Sequence, residues 1–173
     1  MNIPITKIEV DKATIDAAVQ AIKSGQWLHG KRTEDFEEKF TKLCNTKYAA
    51  CCSSGTTALF LALKSLGIKK GDEVIVPSFS FVATASAVSM CEATPVFADI
   101  NPETWLVDFS TLGGPIDALL PVDIFGNQWL STAAPNVPII VDAAHGFGLP
   151  NLGKRGLFEI MSLSHTKVPT AGE

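Results

Sequence analysis

Six short apolar runs constrain this chain more than any other feature: YAACCSS (48–54), EVIVP (73–77), TPVFADI (94–100), DALLPVDIF (117–125), PIIVDAA (138–144) and EIMSLS (159–164). Apolar runs of this length suit short strands buried on both faces, as in parallel sheets. Segments of helical spacing lie before and between them. Ile15, Val19 and Ile22 form one stripe in DKATIDAAVQAIKSG, predicting a helix that stops near Gly25. Phe36, Phe40 and Leu43 do the same in RTEDFEEKFTKLCN, with Thr33 as the expected cap. GTTALFLALKSLGIKKGD predicts a strongly apolar helix closing at Gly67, and FVATASAVSMC predicts another. Strands alternating with helices give an α/β fold, a three-layer sandwich with a largely parallel central sheet. STLGGPI (110–116) reads as a loop within it and not as a domain boundary.

Composition agrees with one folded core. Of 173 residues, 46% are hydrophobic and 18% charged, which is a globular balance and not a disordered one. The net charge of -4 gives no basic footprint for nucleic acid. The opening MNIPITKIEVDKATIDAAV has no apolar core of the signal-peptide kind, and VIVPSFSFVATASAV is too broken by proline and hydroxyls to read as a membrane span. Cys44, Cys51, Cys52 and Cys91 form no CxxC pair and no cluster with histidine, so no metal site is expected. They read as buried, reduced thiols of a cytoplasmic protein, with Cys51 and Cys52 on opposite faces of the first strand.

Parallel sheets bind ligands beyond the carboxyl ends of their strands. Four such ends carry polar or aromatic residues. Ser53, Ser54, Gly55, Thr56 and Thr57 open a helix, where free backbone N–H groups and the dipole favour an anion. The same residues also suit a plain helix cap. Ser78, Phe79, Ser80 and Phe81 follow the second strand. Asp142 follows an apolar run, and a carboxylate buried there needs a partner, either a helix N-terminus or a cationic heterocycle nitrogen. Ser162 and then Lys167 follow the last strand. Lys167 is either a solvated charge or an amine held from water, with a lowered pKa and nucleophilic character. Phosphate nest, aromatic ring, buried acid and lysine, in that order, are the parts a pyridoxal phosphate site requires.

From SGQWLHGKRTEDFEEKF onward, the chain resembles the DegT/DnrJ/EryC1/StrS aminotransferases, sugar-modifying enzymes of PLP fold type I. SSGTTAL, GDEVIVPSFSFVATASAV, PVFADINPET, LLPVDIFGN, VDAAHGFG and SLSHTKVPTAGE carry the resemblance, in this order. It implies a PLP-dependent aminotransferase of keto sugar nucleotides in amino-sugar biosynthesis. The amino donor would be an amino acid such as glutamate, and the complete enzyme a homodimer. By the same resemblance Gly55, Thr56 and Thr57 would hold the cofactor phosphate, with a further contact from Ser162. Phe81 would stack on the pyridine ring, and Asp142 would keep its nitrogen protonated. His145 would stand near the ring's 3-oxygen, or simply face solvent. Lys167 would bind the cofactor covalently and then shuttle the proton. Trp27 and the residues around Gly30 would approach the substrate.

Departures from the family pattern fall mainly on the substrate side. The stretches between Asp99 and Pro121 and between Gly126 and the PIIV strand are shorter than usual, and His165 sits two places later than the histidine of many members. A dehydrating branch of the family carries histidine in place of the lysine, and Lys167 argues against it. The family pattern continues beyond GE into further strands and a second domain. The expectation is therefore that residues 1–173 are the amino-terminal part of the PLP-binding large domain, without the C-terminal small domain. A non-catalytic remnant, or a fragment that pairs with a full-length subunit, is the alternative.

Overall fold

The structure, a computed structural model, describes residues 7–109, 114–130, 137–168 and 170. Parts of the STLGGPI loop, of GNQWLSTAAPN and of the closing PTAGE lie outside the described residues. The chain divides into two compact units, Met1–Cys51 and Cys52–Glu173.

The first unit holds helices α1 (Lys12–Lys23) and α2 (Lys31–Cys44). Asp11 caps α1, its carboxylate accepting the Thr14 N–H at 2.7 Å. Gly25 follows the helix end at a φ of 69°, as its position after the apolar stripe implies. The start of α2 differs from expectation. Gly30 is the cap, because the N–H groups of Thr33 and Glu34 both donate to its carbonyl, at 2.9 and 3.0 Å, and the helix is under way before Thr33. Phe36 and Phe40 stack one turn apart, ring centroids 5.6 Å apart.

The second unit is α/β. Helix α3 (Gly55–Ser65) precedes strand β1 (Glu73–Pro77), helix α4 (Val82–Met90) and strand β2 (Thr94–Ala98). Strands β3 (Ala118–Leu119), β4 (Ile140–Asp142) and β5 (Phe158–Ile160) follow. Every named strand pairing is parallel: β1 lies between β2 and β3, and β4 pairs with β5. Parallel bridges Leu119–Ile139 and Val122–Asp142 tie the two sheets.

Alternation along β1 sorts the core. Val74 and Val76 face α3 and α4, joining Leu59, Leu63, Ala87 and Val88. Ile75 faces the other way, joining Leu119, Trp129, Ile139 and Val141 under partly buried loop residues such as Leu106 and Phe109. Fully burying a side chain such as Leu63 contributes about 1.5–3 kcal/mol. The end of α3 is fixed by a Schellman turn. Gly67, at a φ of 84°, donates to Lys64 O at 3.0 Å, and the Ile68 N–H reaches Leu63 O at 3.1 Å.

Two sequence expectations fail in this part of the chain. Residues 48–54 form no strand, because no described strand pairs with their backbone. Cys51 and Cys52 are consequently exposed, while Cys44 and Cys91 are buried; all four are free thiols. DALLPVDIF is a strand only at Ala118–Leu119, and Ile124–Gly126 form a 3-10 turn. Among the described residues, no helix is long and apolar enough to cross a membrane.

Gly156 marks where the backbone is tightest. A Cβ there would stand 2.7 Å from Ile139 O and 3.1 Å from Phe158 O, both main-chain atoms that cannot swing aside. Gly156→Ala is expected to destabilise the fold by about 1–3 kcal/mol through overpacking. Urea denaturation checks this, and an unchanged midpoint would contradict it.

Candidate functional site

Parallel pairing sends the carboxyl ends of the strands to one edge of the sheet, where the site residues gather. Asp142 ends β4 and is only 5% exposed. Its Oδ2 accepts a hydrogen bond from Thr84 Oγ1 at 2.9 Å, and its Oδ1 accepts one from the Ala144 N–H at 3.2 Å. Burial pushes this carboxyl above the usual carboxylate range; the Thr84 and Ala144 hydrogen bonds and the Lys167 charge offset part of that push. One donor on each oxygen leaves lone pairs over, so the carboxylate can accept a further, cationic partner.

Lys167 arrives from the loop after β5. Its N–H donates to Ser164 O at 2.8 Å, and the Ser164 N–H donates to Ser162 Oγ at 3.3 Å. Half-buried, Lys167 has its pKa drawn below the usual lysine range by burial, with Asp142 pulling it back up. Its Nζ lies 2.6 Å from His145 Nε2. Burial first, and the Lys167 charge second, lower the pKa of His145. The imidazole Nδ1 accepts the Phe125 N–H at 3.1 Å, and the ring stacks on Phe125 at 5.8 Å and 15°.

Phe125 holds a left-handed φ of 51°, a conformation that costs a bulky residue about 1–3 kcal/mol. Its ring meets those of Trp105 and Phe79 edge-on, at 5.5 and 6.1 Å. Three loops beyond the carboxyl ends of strands thus contribute one aromatic group.

The start of helix α3 lies beside Ser162, just after β5. Ser54 caps it, accepting the Thr57 N–H at 3.1 Å, so the cap reading of this stretch holds for Ser54. Thr57 is thereby committed at its N–H, and its hydroxyl contacts both Ser53 and Ser54. Gly55 and Thr56 open the helix, where no intrahelical acceptor exists for their N–H groups. A Cβ on Gly55 would stand 3.7 Å from Ser162 Cβ and 4.0 Å from its Oγ. Helix end and Ser162 therefore form one cradle that a larger residue would fill.

Phe81 precedes α4 in extended conformation and is 71% exposed, with no ring contact to another described residue. Trp27 belongs to the first unit, where it is exposed and its indole N–H donates to Ile22 O at 3.1 Å.

Several residues that build this site were not singled out in the sequence. Thr84 orients Asp142 and itself meets Ser80 Oγ at 2.8 Å. Behind the site lies a buried ion group. Arg155 donates to Asp123 Oδ1 at 2.8 Å and to Glu159 Oε2 at 2.7 Å, with all three side chains at most 6% exposed. Burial opposes the charge on Arg155, but its two carboxylate partners together raise its pKa. Asp123 Oδ1 also accepts the Trp129 N–H at 2.9 Å. Its other oxygen lies where a Cβ on Gly146 would come within 2.5 Å, so only glycine fits there. The i, i+4 spacing of Arg155 and Glu159 was the available signal; the contact with Asp123 spans 32 residues and had none. Arg155→Met leaves two buried carboxylates without their cation and is expected to cost about 3–5 kcal/mol. The unfolding free energy measures it, and a loss within error of zero would contradict the ion group's role.

A family model for the DegT/DnrJ/EryC1/StrS aminotransferase family matches residues 9–173. The chain is 36% identical over 156 residues to UDP-2-acetamido-2-deoxy-3-oxo-D-glucuronate aminotransferase of Pseudomonas aeruginosa, covering 83% of this chain and 43% of that protein. It is 38% identical over 158 residues to GDP-perosamine synthase of Caulobacter vibrioides, with the same two coverages, 83% and 43%. A Streptococcus pneumoniae protein solved in its PLP form superposes with a TM-score of 0.89 at 25% identity, covering 98% of this chain and 51% of that one. The chain thus spans about half the length of the relatives it matches.

Proposed function

Because this chain belongs to the DegT/DnrJ/EryC1/StrS aminotransferase family, we propose that it supplies the PLP-binding part of an enzyme that aminates keto sugar nucleotides. The observation that carries the reading is one cluster: Lys167 Nζ 2.6 Å from His145 Nε2, electrostatically coupled to a buried Asp142. The residues fit the cofactor. A buried carboxylate with spare lone pairs suits a protonated pyridine nitrogen, and the cradle of Gly55, Thr56 and Ser162 suits a phosphate. Bound there, pyridoxal phosphate supplies an electron sink for the carbon that loses or gains the amino group.

The side chains divide the remaining work. Gly55 and Thr56 would offer N–H donors to the phosphate, Thr57 would order that turn through its cap, and Ser162 would add a hydroxyl. Phe81 would cover a ring face. Asp142 would hold the proton on the ring nitrogen, since a charged pair is far less costly in this setting than an isolated carboxylate. His145 would sit at the ring's oxygen edge. Lys167 would bond the cofactor and, once released from it, would move the proton at the reacting carbon.

The names of the two relatives above, a 3-oxo-glucuronate aminotransferase and GDP-perosamine synthase, support the sugar-nucleotide class. Glutamate as donor, a homodimeric assembly, a cytoplasmic location and the placing of residues 1–173 within the PLP-binding large domain belong to the same proposal. Borohydride reduction of the PLP-loaded protein, followed by peptide mapping, is expected to place the pyridoxyl group on Lys167. Label on another lysine with Lys167 unmodified would overturn the assignment.

A further inference from the structure

His145 touches two groups at once, and their chemistry restricts each other. Nδ1 faces the Phe125 N–H at 3.1 Å, and that backbone group can only donate. Nδ1 must therefore be the bare, accepting nitrogen. In a neutral imidazole with Nδ1 bare, the proton is on Nε2. Nε2–H then points at Lys167 Nζ, 2.6 Å away, and needs an acceptor there. An ammonium has no lone pair; a free amine does. The alternatives fail at one contact or the other. An ammonium donating to Nε2 would move the imidazole proton to Nδ1, against the Phe125 N–H. A doubly protonated imidazole would meet the same N–H and would also face the lysine charge.

We infer that the Phe125 backbone N–H fixes the His145 tautomer, and that His145 in turn holds Lys167 as the free, nucleophilic amine before any cofactor arrives. His145 is a positioning residue here, acting through Lys167. The charged groups around the pair are Asp142 at the end of β4 and Asp123 beyond it; the lysine's own loop also carries an exposed histidine, His165. Asp142 favours the ammonium, so the imidazole donor and burial act against it. The inference deepens the proposed function, yet it concerns the cofactor-free protein. Failure of PLP labelling would overturn that function and leave the inference standing.

The test is a pH titration of Lys167 acylation in the cofactor-free protein, read at this one residue by mass spectrometry. A hydrogen bond donated to the amine favours its neutral form, so removing the donor moves the midpoint to higher pH. His145→Phe keeps an aromatic ring and a dry site but removes both nitrogens. It is expected to raise the midpoint by about one pH unit or more. Burial alone predicts the opposite, an unchanged or lower midpoint, and that result would overturn the inference. His145→Gln keeps an acceptor for Phe125 and a donor for Lys167, and is expected to hold the midpoint within about half a unit of the unsubstituted protein. A glutamine variant that shifts as far as the phenylalanine variant would count against the mechanism. Nitrogen NMR of the unsubstituted protein gives an independent reading, whether or not the variants fold. A bare Nδ1 and a protonated Nε2 on His145 are expected; a protonated Nδ1 would overturn the inference.

Discussion

Parallel strand pairing is the constraint on which the second unit rests. It aligns the carboxyl ends of β1, β2 and β3, and likewise of β4 and β5, so that loops far apart in sequence finish side by side. It also requires that both faces of the sheet be covered. Helices α3 and α4 cover one face around Val74 and Val76, and loops pack on the other around Ile75 and Trp129. With the strands fixed in this way, Asp142, His145 and Lys167 meet at one edge, although 25 residues separate the first from the last.

The electrostatics of that edge are internally consistent. Burial raises the pKa of Asp142 and lowers that of Lys167, so each resists carrying its charge in the cofactor-free protein. A ring nitrogen that brings its own proton would relieve Asp142, and a free amine is the form in which Lys167 can attack a carbonyl. The Arg155 ion group lies behind this edge, against Asp123, whose backbone N–H donates to Asp142 O at 3.0 Å. With one cation between two carboxylates the group keeps a net negative charge, and Asp123 adds to the upward push that burial gives the Asp142 carboxyl. Gly146 is the spatial counterpart of this arrangement, since its missing side chain makes room for the Asp123 carboxylate.

The sequence showed the α/β architecture because the apolar runs and helix stripes are local signals. It showed Asp142, Ser162 and Lys167 as candidates because strand ends are where polar residues after apolar runs must emerge. The strand expected at Tyr48–Ser54 did not form, since a strand depends on a pairing partner that composition cannot supply. Thr33 looked like a cap by residue type, but the carbonyl of Gly30 had already received the first helical hydrogen bonds. Thr84 and Phe125 carried no signal because their roles are contacts across 58 and 20 residues; Arg155 showed only its i, i+4 spacing to Glu159, since its contact with Asp123 spans 32. The Phe125 contact is also made by a backbone N–H, which any residue but proline has.

A crystal structure of the protein with pyridoxal phosphate bound tests the central claim most directly. The account predicts continuous density from Lys167 Nζ to the cofactor, the ring nitrogen within hydrogen-bonding distance of Asp142, and the phosphate between Ser162 and the start of α3. A cofactor bound elsewhere, or one held at this edge with Asp142 turned away from its ring, would contradict it.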